Sequence, residues 1–160
     1  MVRVCFVCLG NICRSPTAEA VMRHLVRAAK LDGQIQIESA GTGDWHVGEP
    51  RDRRSQATGA ARGVPLTGRA QLFSGRDFDR FDHVIAMDRS NLENLRQMAP
   101  SDAARAKLHL LRQFENDGAP PDADVPDPYY GGARGFEQVF DICEAACAGF
   151  LDWLRREHGL

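Results

Sequence analysis

Between Val7 and Ala20 the chain reads VCLGNICRSPTAEA, which sets Cys8, Cys13, Arg14 and Ser15 inside eight residues. In cysteine chemistry the thiolate is the nucleophile, and a helix N-terminus beside a fixed cation is the surrounding that favours it. Cys8 has that surrounding if a helix begins near Ser15. Leu9, Gly10, Asn11, Ile12 and Cys13 then form a loop whose N–H groups, with the positive end of the helix dipole, make an anion site. Gly10 lets an anion approach the main chain, and Asn11 is among the few residues that tolerate a left-handed backbone. Arg14, six positions after Cys8, can grip two oxygens of a phosphate with a fork of donors, where lysine offers only a point charge. Ser15 can give its hydroxyl hydrogen to the Cys8 sulfur, both before attack and when the sulfur is expelled.

A second chemical segment is DPYYGG, residues 127–132. Asp127, on a loop over the anion site, can give a proton to a departing oxygen and then take one from water. Tyr129 and Tyr130, together with Trp45, can wall a slot for a flat ring. Taken alone, the segment reads as a turn with surface tyrosines. Cys-x5-Arg is equally weak alone in a chain with 18 arginines, and its position in the fold is what gives it meaning.

That position follows from the flanking elements. VRVCFVC, residues 2–8, is β-branched and apolar after Arg3, the pattern of a strand buried on both faces of a parallel sheet. From Pro16 the apolar Ala18, Val21, Met22, Leu25, Val26 and Ala29 recur at helical spacing, with Ser15 suited to the N-cap and Pro16 to the first helical position. IQIES (35–39) reads as a second strand, SAGTGDWHVGEP as a long loop, and RRSQATGAARG as a short helix ending near Gly63. DHVIAM (82–87) is a third strand, and SNLENLRQM (90–98) a helix behind an Asp88 or Ser90 cap. KLHLL (107–111) is a fourth strand or the continuation of a helix from SDAARA, and NDGAPPDADVPDP is loop. Phe136, Val139, Phe140, Cys143, Cys147, Phe150, Leu151 and Leu154 make one stripe of a closing helix. Strands alternating with helices predict one α/β domain with a parallel sheet, in which ligands bind at the carboxyl ends of strands. The cysteine loop sits at one of those ends.

Composition narrows the setting. The 160 residues, 43% hydrophobic, suit a single domain with one core. A net charge of -2 and dispersed Lys and Arg argue against nucleic acid as a partner. No apolar run reaches the roughly 18 residues of a membrane span, and MVRVCFVCLG does not read as a signal peptide. Five cysteines, an odd number, suit free thiols in a reducing cytoplasm better than a disulfide framework.

These pieces together resemble the low-molecular-weight protein tyrosine phosphatases. VCLGNICRSP is close to the family's phosphate-loop signature, and DPYYG to its general-acid loop. The order FVCLGN, ESAGT, FDHVIAMDRSNL and terminal helix follows the family over essentially the whole chain. The resemblance implies a four-stranded parallel sheet flanked by helices, with residues 1–160 forming one phosphatase domain. It also implies hydrolysis of phosphotyrosine in proteins through a cysteinyl phosphate, with phosphate or other oxyanions as ligands and no metal or other cofactor. Cys8 is then the nucleophile, Arg14 the phosphate-binding residue, Asp127 the general acid, and Ser15 the group that assists the thiolate. Asn11 and Ser39 match the loop's hydrogen-bonded supports, and Cys13 the neighbour that can cap Cys8 as a disulfide. One departure is Gly68, where many members carry histidine in the stretch matching GVPLTGRAQLF.

The remaining residues have plainer readings. Cys5 and Cys8 lie on opposite strand faces and have no partners to complete a zinc tetrahedron. Cys143 and Cys147 read as core residues, His46 as part of a surface loop, and EPRDRRS (49–55) as a solvated turn whose arginines can meet acidic residues near a target tyrosine. Two alternatives stay open: a thiol-dependent arsenate reductase of the same fold, and a module that binds phosphotyrosine without cleaving it.

Overall fold

The computed structural model describes residues 1–115, 123–129 and 131–160. Its central strand, β1 (Val2–Cys8), is apolar on both faces because it separates two cores. Val2, Val4, Phe6 and Cys8 enter one core, with α1 (Arg14–Ala28) and α5 (Ala133–His158). Cys5 and Val7 enter the other, with Phe73, Phe78, Phe81 and Leu95. The opposite facing of Cys5 and Cys8 follows from the period of two along a strand.

β1 pairs in parallel with β2 (Ile35–Gly41) on one side and with β3 (His83–Ala86) on the other. β4 (Leu108–Leu110) flanks β3, giving four parallel strands in the order β2-β1-β3-β4. The strands that follow β1 in the chain lie on its two opposite sides, so a crevice opens beyond its carboxyl end. The cysteine loop occupies that crevice.

The closing stripe is buried as its periodicity predicts, from Phe136 to Leu154. Phe150 meets Phe6 edge-on, ring centroids 6.0 Å apart, and its full burial is worth about 1.5–3 kcal/mol. The helix ends at Gly159, whose φ of 66° is left-handed.

Several boundaries differ from expectation. β2 runs past IQIES to Gly41, because Ala40 and Gly41 pair with Val7 and Cys8. SDAARAKLHLL holds both alternatives in succession: α4 (Asp102–Arg105), capped by Ser101, and then β4. Between them, α2 (Arg53–Ala61) is capped by Asp52, and α3 (Arg89–Met98) by Asp88 rather than Ser90. Two 3-10 turns, Gly75–Asp79 and Leu111–Phe114, had no sequence signal strong enough to place them. The N-cap expected at Ser15 is corrected: α1 begins at Arg14 behind Cys13, which makes no side-chain cap. Ser15 faces the end of β1 instead, where its hydroxyl has other partners.

Candidate active site

Those partners are the candidate nucleophile and its supports. Cys8 Sγ lies 3.0 Å from Ser15 Oγ and accepts the Asn11 N–H at 3.3 Å, so the loop curls back over the sulfur. Asn11 is fully buried with φ 58°, the left-handed conformation expected of it. Its side-chain amide uses its full hydrogen-bonding capacity. Nδ2 donates to Ser15 Oγ at 2.8 Å and Ser39 Oγ at 2.9 Å, while Oδ1 accepts from Arg51 Nη1 at 2.9 Å and the Gln71 N–H at 3.0 Å. Ser15 thus accepts from Asn11 and keeps its single hydrogen for donation, with Cys8 Sγ at 3.0 Å a nearer acceptor than the Ala40 carbonyl at 3.4 Å. Ser39 likewise accepts from Asn11 and donates to Glu19 Oε1.

Arg14 is buried and held from the side. Nη1 donates to Asp88 Oδ2 at 2.6 Å and to the Val125 carbonyl at 3.1 Å, and Nη2 stands 3.6 Å from Asp127 Oδ2. Burial opposes its charge, but Cys8 and the bonded Asp88 outweigh burial and leave the guanidinium more firmly protonated than in water. Asp88 serves two elements, since its other oxygen accepts the Asn91 N–H and caps α3. Asp127 remains partly exposed, and its Oδ1 accepts the Tyr129 N–H at 3.0 Å, a local turn that steadies the loop over the site.

A cavity of about 350 Å³ joins these groups, lined by every residue from Cys8 to Arg14 together with Trp45, His46, Asp127 and Tyr129. Tyr130, also expected in the wall, lies outside the described residues. Trp45 is 69% exposed and lies against Gly43, where a Cβ would come within 1.9 Å of the indole and displace it. His46 corrects the surface-loop reading. It lines the cavity, pairs with Glu49 through Nδ1, and packs its ring 6.0 Å from Tyr129.

EPRDRRS is also corrected in part. Arg51 is buried, and besides Asn11 Oδ1 it reaches the Asn11 carbonyl at 2.8 Å, the Thr67 carbonyl at 3.0 Å and Glu19 Oε1 at 3.4 Å. Sequence reasoning passed over Arg51, Glu19 and Gln71 as supports of the loop, and saw Asp88 only as a cap. Asp88 had a usable signal in its place directly after a parallel strand, where ligands gather. Arg51 had none, because arginine before a helix is ordinarily solvated.

All five cysteines are free. Cys13 is buried, which together with Asp52 pushes its thiol up to about 12 despite a hydrogen bond from Ser55. Burial likewise pushes Cys143 and Cys147 up, and both sit wholly inside the core under α5. Neither is placed as a resolving thiol on a surface segment, so the arsenate-reductase alternative loses its only thiol pair.

A thiol in a loop before a helix, sharing one cavity with an arginine and a carboxylate, sits in a chain that is similar to known proteins over its whole length. The sequence profile of the family described as low molecular weight phosphotyrosine protein phosphatase matches residues 3–159. The low molecular weight protein-tyrosine-phosphatase of Streptomyces coelicolor is 48% identical over 97% of this chain and 94% of its own. That of Bacillus subtilis, YfkJ, is 41% identical over the whole of both. A crystal structure of protein tyrosine phosphatase from Entamoeba histolytica, with Hepes in its active site, superposes with a TM-score of 0.92 at 36% identity over 99% of each chain. Agreement in sequence and fold over nearly the full length leaves one assignment: the chain belongs to the low molecular weight protein tyrosine phosphatases.

Proposed function

We propose that residues 1–160 work as one phosphatase domain that hydrolyses phosphotyrosine in proteins, and simple aryl phosphates, in two steps through Cys8. In the first step the Cys8 thiolate attacks phosphorus, the bond to the aryl oxygen breaks, and Asp127 gives that oxygen its proton. In the second step water attacks the Cys8 phosphate, Asp127 takes the water's proton, and the P–S bond breaks to release phosphate and the thiolate. Ser15 and the Asn11 N–H hold the negative sulfur before attack and after expulsion. Arg14 and the N–H groups of the loop other than that of Asn11 meet the phosphate oxygens in the transition state, where charge is spread over the equatorial positions. Trp45 and Tyr129, with His46, flank the aryl ring. Neither nucleic acid nor membrane enters this reading, and no helix among the described residues is long and apolar enough to cross a membrane. Free cysteines on this scale fit the cytoplasm.

The observation that carries the proposal is the convergence on one cavity of Cys8 with its two hydrogen-bonding supports, buried Arg14, and Asp127 at 3.6 Å from that arginine. Its test is a rapid acid quench during turnover of nitrophenyl phosphate, followed by peptide mass spectrometry. Phosphate on the peptide containing Cys8 is expected; phosphate on another residue of a competent enzyme overturns the assignment.

A redox consequence belongs to the same loop. Peroxide should oxidise the Cys8 thiolate to a sulfenic acid. Cys13 sulfur then attacks it, forming the S–S bond as water leaves, and so prevents over-oxidation. Because burial keeps the Cys13 thiol protonated up to about 12, capture should be slow at neutral pH and quicken as pH rises. Mass spectrometry should find the Cys8–Cys13 disulfide, and Cys13→Ser should lose recovery by dithiothreitol; full recovery in that variant rejects the idea.

A further inference from the structure

Arg51 is a buried cation that takes no part in the two chemical steps, yet almost every donor it has is aimed at the supports of Cys8. Nη1 donates to both the carbonyl and the side-chain oxygen of Asn11, at 2.8 and 2.9 Å. Nε donates to Thr67 O at 3.0 Å, and Nη2 reaches Glu19 Oε1 at 3.4 Å and Ser39 Oγ at 3.5 Å. The guanidinium fits there because Gly68 has no side chain: a Cβ at that glycine, whose φ is 83°, would stand 3.3 Å from Arg51 Nη2. Gln56 Nε2 in turn donates to the Arg51 carbonyl at 2.6 Å and ties its backbone to α2.

The consequence for Cys8 follows from donor and acceptor chemistry. Arginine has only donors, so the Asn11 atom facing it must be Oδ1. That orientation sends Nδ2 towards Ser15 and Ser39. Ser15 then accepts through its lone pair and donates its one hydrogen, for which the sulfur at 3.0 Å is a closer acceptor than the Ala40 carbonyl at 3.4 Å. The second contact, to the Asn11 carbonyl, holds a non-glycine residue in the left-handed region, which places its N–H on Cys8 Sγ. Resting on the reading of Cys8 as nucleophile, we infer that Arg51 is a positioning residue of the phosphate loop: through Asn11 it turns the Ser15 hydroxyl and the Asn11 N–H onto the sulfur.

The titratable groups that reach Cys8 are Arg14 at the start of α1, Arg51 before α2, Cys13 in the loop, Cys143 from α5, and Asp127 across the cavity. Among these groups the two arginines are the cations, His46 lines the same cavity paired with Glu49, and Arg51 is the arginine whose contacts all lie behind the loop. Burial weakens its hold on a proton, while Glu19 and Cys8 favour its charged form.

The test uses the full chain with Arg51→Met and Arg51→Lys beside wild type. It reads the rate of Cys8 alkylation by iodoacetamide against pH, and kcat and KM for nitrophenyl phosphate. Methionine keeps an apolar stem without charge or donors. In Arg51→Met the midpoint of the alkylation profile should rise by roughly one pH unit, and kcat should fall roughly 10- to 100-fold, with KM changing less. Arg51→Lys should lie between, since an ammonium keeps the charge but cannot serve both Asn11 oxygens and Thr67 O together. A lower melting temperature with a wild-type midpoint and kcat in the folded protein would mean a merely structural arginine and overturns the inference. If Arg51→Met does not fold, Arg51→Lys decides alone: a wild-type profile overturns the inference and an intermediate one supports it. Failure of the underlying reading would look different, for wild-type turnover would then survive complete alkylation of Cys8.

Discussion

Cys8→Ser should abolish turnover of aryl phosphates while inorganic phosphate still binds. The sulfur shares its cavity with residues 9–14, and the guanidinium of Arg14 is fixed by Asp88 and the Val125 carbonyl rather than by the thiol. Anion binding therefore does not require the sulfur. Attack does, because a serine hydroxyl is scarcely ionised near neutral pH and makes a far poorer leaving group than a thiolate. Removing a nucleophile that acts as a unit with its partners costs on the order of 10⁶ in rate. Steady-state assays with nitrophenyl phosphate and calorimetric titration with phosphate check the two halves separately. Turnover in Cys8→Ser within about a hundredfold of wild type sinks the covalent mechanism.

Asp127→Asn should slow phosphotyrosine far more than nitrophenyl phosphate. A tyrosyl oxygen leaves as a phenolate whose conjugate acid has a pKa of about 10, so a proton delivered during P–O cleavage helps by roughly 10² to 10⁴. Nitrophenolate is a much weaker base and needs that proton less. Asp127 lines the cavity with Oδ1 engaged by the Tyr129 N–H and Oδ2 3.6 Å from Arg14 Nη2, so the carboxyl is held at the cavity wall. Asparagine keeps the shape and the turn but has no proton to give. The deciding quantity is the slope of log rate against leaving-group pKa for a series of aryl phosphates under single-turnover conditions. It should be shallow in wild type and steep in Asp127→Asn; equal shallow slopes mean that the proton comes from elsewhere.

Much of this protein is written in short windows of its sequence. β1 is apolar at every position from Val4 to Cys8, and such a strand needs cover on two faces, which in an alternating chain means a parallel sheet with helices on both sides. The α5 stripe is equally local, since a period of 3.6 can be read within one helix. So is the pairing of Cys8 with Arg14, because strand, loop and helix are contiguous and their order alone places the thiol at a helix N-terminus. What the tertiary structure alone decided is the support behind that loop. Asp88 lies 74 residues from Arg14, Gln71 60 residues from Asn11, and Arg51 32 residues from Glu19. Each is of a type that is ordinarily solvated; only Asp88, directly after a parallel strand, had a signal of its role, and nothing beside Gln71 or Arg51 in the chain marks either as a support of the loop. An isolated charge in the core is prohibitively costly, so Arg51 is stable there only because folding also brings Glu19, Ser39 and three carbonyl or amide oxygens to it. The same condition governs Ser15. As a helix cap it would have needed only its own helix, but its hydroxyl belongs to Cys8 because Asn11, turned by groups distant in sequence, takes its lone pair.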